Sequence, residues 1–184
     1  GDITAEGYAV VAVRLKSANN VLIKDCTGTG LHSFLQNTAG WNLTIDNVDV
    51  NGAAEGGFAL GTVQGVTVKN CEINSSRYGI RLDAQYNNNA VIESNKINAF
   101  IPVVVRKASV DGTITFNGTN EFTQSNTDGY WCVIGTEEYK TDGALPSAAT
   151  AKINVTLSDA GLDRNGIYGN YGVAKINKAV YNTF

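Results

Sequence analysis

The sequence predicts an all-β chain wound as a right-handed parallel β-helix solenoid, with coils of about 22–24 residues. Three observations carry that prediction. An apolar phrase recurs at a nearly constant step, a second short alternating strand follows each copy, and Gly and Asn punctuate the segments between them. Self-similarity at such a period marks a stacked array, in which each unit buries its apolar face against its neighbours.

The repeat aligns on Ile23, Ile45, Val68, Ile92 and Phe116, at steps of 22, 23, 24 and 24 residues. Two residues earlier stand Val21, Leu43, Val66, Ala90 and Ile114, all apolar. Three residues later stand Cys26, Val48, Cys71, Asn95 and Thr119. Beyond these, Val50, Ile73, Ile97 and Phe122 are apolar again, with Gly28 the exception in the first copy. Alternation of this kind is the period-2 signature of a strand.

The second strands are Ser33–Gln36, Gly57–Gly61, Gly79–Asp83 and Pro102–Arg106. Their expected inward pairs are Phe34/Gln36, Phe58/Leu60, Ile80/Leu82 and Val103/Val105, of which only Gln36 is polar. "YAVVAVRL" reads as the equivalent strand of an earlier, partial coil. A longer insertion is expected near 123–149, after which Ile153, Val155 and Leu157 resume the alternation. Leucine-rich repeats share the period and part of the phrase. The β-branched residues and Gly/Asn-rich return segments favour the β-helix. No helix-period segment stands between strands, as a doubly wound α/β fold requires.

The 184 residues suit one domain, 1–184, which could be a fragment of a longer secreted chain. A net charge of −3 without a basic run argues against a nucleic-acid partner. No apolar run approaches the roughly 18 residues of a membrane span.

Stacking makes further predictions. Lys24, Asp46, Lys69, Glu93 and Asn117 share one repeat position, so their charges form an alternating ladder. Asp25, Asn47, Asn70, Ser94 and Gly118 follow it as a corner ladder of residues that tolerate unusual φ. Cys26 and Cys71 lie two coils apart, roughly 9–10 Å, beyond the ~7 Å reach of a disulfide. Both are expected reduced and buried, and Cys132 has no evident partner. Three cysteines without a C-x-x-C motif, with His32 as the only histidine, leave no metal site to expect.

The phrase "VTVKNCEI…YGIRL" at Val66–Leu82 resembles the repeat of the pectate-lyase-like right-handed parallel β-helix superfamily, and the likeness extends from Val10 to Phe122. The ending "AKINVTLSDAGLDRNGIYG" is similar in style to uncharacterised secreted β-helix proteins of gut Bacteroidetes. The resemblance implies a bacterial, extracytoplasmic protein, secreted or at the cell surface, and contact with polysaccharide. Fold alone does not give activity. The leading expectation is a β-helix without demonstrated catalysis that contacts polysaccharide or a surface partner. The alternatives are a polysaccharide lyase or glycoside hydrolase and a structural or adhesive stalk of a larger protein.

Candidate residues follow from departures from the ladder. Arg81 and Asp83 do not repeat, and Arg106 falls one coil beyond Asp83. These three are the catalytic candidates, since a lyase needs a base and a glycosidase needs paired carboxyl groups. With Tyr78 they form one expected ligand-contact face, whose plainer reading is a surface ion pair. Tyr130, Trp131, Glu137 and Glu138 form the other, where rings could stack on sugars or simply cover the core. No cofactor is expected, with Ca²⁺ entering only if the lyase alternative holds. That alternative is weakened because Gly61, not an acid, precedes Asp83 by one coil. His32 stands in "GLHSF" without a nucleophile motif. Trp41 is expected as a core or edge filler.

Overall fold

A computed structural model of the protein describes residues 2–4, 10–83, 89–106, 111–135, 154–158, 166–169, 173–176 and 179–182. Its first strands are β1 Asp2–Thr4, β2 Val11–Leu15, β3 Ala18–Thr29, β4 Ser33–Ala53, β5 Gly56–Lys69, β6 Glu72–Ser75, β7 Tyr78–Asp83 and β8 Ala90–Glu93. Then follow β9 Lys96–Ala99, β10 Ile101–Arg106, β11 Asp111–Asn117, β12 Glu121–Gln124, β13 Cys132–Gly135, β14 Asn154–Ser158, β15 Ile167–Gly169, β16 Val173–Ile176 and β17 Ala179–Asn182. Partners in the ladder lie one coil apart and run parallel, so the chain is a β-solenoid. Val21 pairs with Leu43, Leu43 with Val66, Val66 with Ala90, Ala90 with Ile114, and Ile114 with Leu157. Among the described residues β17 alone is antiparallel, and it pairs with β16.

The core runs up the axis as rows of stacked apolar side chains, among them Leu43–Val66–Ala90–Ile114 and Ile45–Val68–Ile92–Phe116. The second-strand rows are Leu35–Phe58–Ile80–Val103–Cys132 and Asn37–Leu60–Leu82–Val105–Ile134. This register corrects Gln36 of the expected pair Phe34/Gln36, whereas Phe34 is fully buried in the core as expected. Leu35 and Asn37 also face inward, and Gln36 points out to accept a hydrogen bond from Arg14 (3.0 Å).

Phe34 also explains Gly28. A Cβ on Gly28 would stand 2.5 Å from the Phe34 ring and 2.6 Å from Leu31. In the next coils the sizes are exchanged. Gly57 and Gly79 occupy the corner position, and Ile73 and Ile97 of the following coil fill the space beside them. One volume is filled from either side of the coil, and the interior stays close-packed.

The expected corner ladder is present. Asp25, Asn47, Asn70, Ser94 and Gly118 all have φ between 51° and 63°, the left-handed region that Asn, Asp and Gly tolerate best. Asn47 donates to Asp25 (2.7 Å), and Asn70 donates to Asp46 (2.9 Å). The charge ladder beside it shows Asp46 between Lys24 (3.8 Å) and Lys69 (3.6 Å). Asn70's amide, and then the two ammonium groups, hold the Asp46 carboxyl below the usual carboxylate range.

The row of Cys26, Val48 and Cys71 continues through Asn95 to Asn120 rather than to Thr119, because Lys96 pairs with Glu121. Gly118 and Thr119 add a residue to that corner. Asn95 is buried and fully engaged. Its Oδ1 accepts from the Cys71 N–H (3.0 Å), and its Nδ2 donates to the Val68 carbonyl (2.9 Å). Asn120 repeats the pattern, donating to the Ile92 carbonyl (3.1 Å) and accepting from the Asn95 N–H (3.0 Å). All three cysteines are free thiols. Cys71 and Cys132 are buried, but Cys26, near the start of the stack, is only half-buried.

The expected excursion over 123–149 contains β13, which rejoins the stack: Cys132 pairs with Val103 and continues its core row. Residues 136–153, including Ile153, lie outside the described residues, and β14 then pairs with β11. Among the described residues no helix is long and apolar enough to cross a membrane.

Candidate functional site

The corner before the second strand carries a polar row. Ser33, Gly56 and Tyr78 are in register, so His32, Glu55 and Arg77 stack just before them. Backbone bonds link this row. Glu55 N–H donates to the His32 carbonyl (2.9 Å), and Tyr78 N–H donates to the Glu55 carbonyl (3.2 Å). Glu55 is the centre: its carboxylate lies 3.2 Å from His32 Nδ1 and 3.7 Å from an Arg77 nitrogen.

Arg81 closes the cluster from the strand. Its terminal nitrogen is 3.6 Å from Glu55, its Nε is 3.2 Å from Asp83 Oδ2, and its guanidinium lies over the Tyr78 ring at 4.7 Å. Arg81 and Asp83 point outward because Ile80 and Leu82 point inward. The Tyr78 ring fills the space that a Cβ on Gly56 would need, so Gly56 makes room for it. One guanidinium therefore ties two carboxylates and a ring across adjacent coils. Arg81 and Asp83 are each 13% exposed at the side chain, Glu55 20% and His32 32%, so the cluster is a surface network with its edge open to solvent.

The structure thus brings Tyr78, Arg81 and Asp83 together. Arg106 is the backbone partner of Asp83 in the next coil, but its side chain lies outside the described residues. Tyr130 packs at the edge of a small outer cluster of Ala59, Tyr78, Ile101, Val104 and Val133. Asn126 fixes it by accepting from the Tyr130 N–H (2.9 Å) and donating to its carbonyl (2.7 Å). Trp131 does not join that face. It is 5% exposed, stacked on Phe122 at 4.8 Å and edge-on to Phe116, which is the covering role the sequence also allowed. Glu137 and Glu138 lie outside the described residues.

Glu55 and Arg77 are not singled out by the sequence pattern, although they stand one coil apart in a row with His32 and carry opposite charges. Both lie two residues before the expected second strands, which begin at Gly57 and Gly79. Of the two roles expected of Trp41, core or edge filler, the first is corrected: the residue is 51% exposed.

The residues around Asp83 do not fit a lyase-type Ca²⁺ site. Its neighbours along the stack are Gly61 and Arg106, and several converging carboxylates are needed. Among the described residues no group of three or more His, Cys, Asp or Glu is placed to hold a metal. The chain matches no family model, no curated protein and no solved structure.

Proposed function

We propose that this protein is an extracytoplasmic β-solenoid, secreted or at the cell surface, that contacts polysaccharide without turning it over. Kinship with pectate-lyase-like β-helices, read from Val66–Leu82, is part of the same proposal. One observation carries the reading: the Glu55–Arg81–Asp83 network is half-open, crosses coils, and departs from the simple repeat. Planar guanidinium and carboxylate groups fixed by their neighbours can exchange bonds with sugar hydroxyls at little entropic cost. The same geometry disfavours hydrolysis. A glycosidase sets two carboxyl groups on either side of the scissile bond, roughly 5–9.5 Å apart. Here Arg81 occupies the space between Glu55 and Asp83, and a substrate would have to displace it.

Native electrophoresis through gels containing a panel of polysaccharides tests the reading. Retardation is expected on at least one, and Arg81→Ala should weaken it while Arg81→Lys restores part. Reducing-end and unsaturated-product assays on the same panel should stay at background. Product release that Glu55→Gln or Asp83→Asn abolishes would establish an enzyme instead.

A further inference from the structure

We infer that the corner carrying Trp41 is a separate carbohydrate subsite, which takes the face of an uncharged pyranose. The inference rests on the polysaccharide reading above but uses a different part of the coil, beyond the outward row Gln36–Ala59–Arg81.

The indole is held out on a rigid base. Gly40 has φ 142°, and any side chain there would run into the Ala18 carbonyl oxygen. Asn42 has φ 55° and donates to Asn20 Oδ1 (3.0 Å). The Trp41 N–H itself donates to Asn19 Oδ1 (3.2 Å). Three consecutive residues are therefore pinned to the preceding coil, and the exposed ring rises from a corner that has already lost its backbone freedom. Pre-organisation of this kind lowers the cost of binding.

The surroundings select the ligand. In register with Trp41 stand Asn19 on one side and Gln64 on the other, both exposed. Strand spacing puts them about 4.8 Å from it along the axis. The adjoining corner row is Asn20, Asn42 and Gly65. These six positions carry no charge. An apolar ring face bordered by amides complements a pyranose, which has an apolar C–H face and a rim of hydroxyls. A uronate would find no cation in these rows. A protein partner fits less well. Among the described residues the large exposed hydrophobics are Val10, Leu22 and Trp41, whereas a stable interface buries about 1,200–2,000 Å² around an apolar centre.

The test uses the whole chain in affinity electrophoresis and fluorescence titration with soluble β-glucan, mannan and xyloglucan, and with polygalacturonate as the acidic probe. At least one uncharged polysaccharide should retard the wild type. Trp41→Ala should weaken that binding tenfold or more, Trp41→Phe should keep part of it, and Gln64→Ala should weaken it less. The ligand-induced change in tryptophan fluorescence should vanish in Trp41→Phe, where the buried Trp131 is the one tryptophan left. Equal retardation of wild type and Trp41→Ala on every uncharged polysaccharide overturns the inference. If Arg81→Ala alone abolishes binding, the broader reading survives and this one fails. If nothing on the panel binds, both fail. Sedimentation as a dimer that Trp41→Ala dissociates also overturns it, by assigning the ring to a second copy of the chain.

Discussion

Asn37 and Asn95 are two buried amides of opposite standing, and one substitution should separate them. Asn37 is 4% exposed in the core row with Leu60 and Leu82, and neither of its amide atoms has a hydrogen-bond partner among the described residues. Leucine has the same branched skeleton of heavy atoms. Asn37→Leu therefore removes a buried amide that bonds to nothing, at nearly constant shape. An unsatisfied buried polar group costs about 1–3 kcal/mol. The variant is expected to be more stable by about 2 kcal/mol, or about 4–8 °C in Tm for a chain of this size. Asn95→Leu makes the identical chemical change but orphans the Cys71 N–H, takes one donor from the Val68 carbonyl, and removes the Nδ2 bond to Asn120 Oδ1. At about 1–3 kcal/mol per orphaned group it should destabilise by about 3 kcal/mol or more. Urea titrations read both, with the m-value checked for constancy because solenoids can lose cooperativity between repeats. A lower midpoint for Asn37→Leu at unchanged m would refute the reasoning. It would show that the amide is satisfied, for instance by a buried water, or that the added methyl groups do not fit.

Other outcomes follow from the same geometry. Gly79→Ala should cost about 1–3 kcal/mol, because its Cβ would collide with Ile97 Cγ2 and stand 2.8 Å from the Pro102 carbonyl oxygen; Ile97→Ala in the same chain should recover part of the loss in chemical denaturation. Trp131→Ala should destabilise by about 3–5 kcal/mol, and iodide should quench Trp41 in the wild type while leaving Trp131 nearly untouched in Trp41→Phe. Burial pushes the Cys71 thiol up to about 12. The unfolded chain loses this proton near its ordinary value of 9.0 and the fold does not, so stability should fall as pH rises above that value. Cys71→Val, the residue type that Val48 already provides one coil earlier, should flatten that alkaline slope in denaturation midpoints measured between pH 8 and about 10.5. Asp46 has the opposite sign: with its carboxyl held low, its contribution is complete above 3.8 and is lost as pH falls through its lower folded value. Asp46→Asn should therefore lose less stability on acidification, read by the same titrations.

Much of this was legible because a solenoid writes its contacts as equal intervals. Ile23, Ile45, Val68, Ile92 and Phe116 are spaced by the coil, and the coil brings each beside the next. The corner residues were legible for a local reason, since φ near 54° at Asn47 and Asn70 is a property of single residues. Legibility failed where one residue was added or where a space is shared. Asn120 replaces Thr119 in its row because of one extra corner residue. Phe34 and Gly28 exchange volume across the coil, and neither position alone shows it. The site was half legible. Arg81 and Asp83 stood out by not repeating, whereas Glu55, in a stacked row with His32 and Arg77, sits at a corner outside the aligned strand.

The sequence by itself determined the solenoid, its period, its corner ladder and its alternating charges, because each depends on spacing along the chain or on one residue's conformational preference. Only the tertiary structure decided which of two tryptophans faces water. Trp131 and Trp41 each stand immediately before a strand position that points inward or turns a corner. Trp131 is in the core because Phe122 and Phe116 of the coil beneath provide faces for its ring. Trp41 is outside because Gly40 and Asn42 turn the backbone under it, and its neighbours above and below are amides. A side chain's direction at a corner is set by what the adjacent coils leave open, and that is a property of the stack.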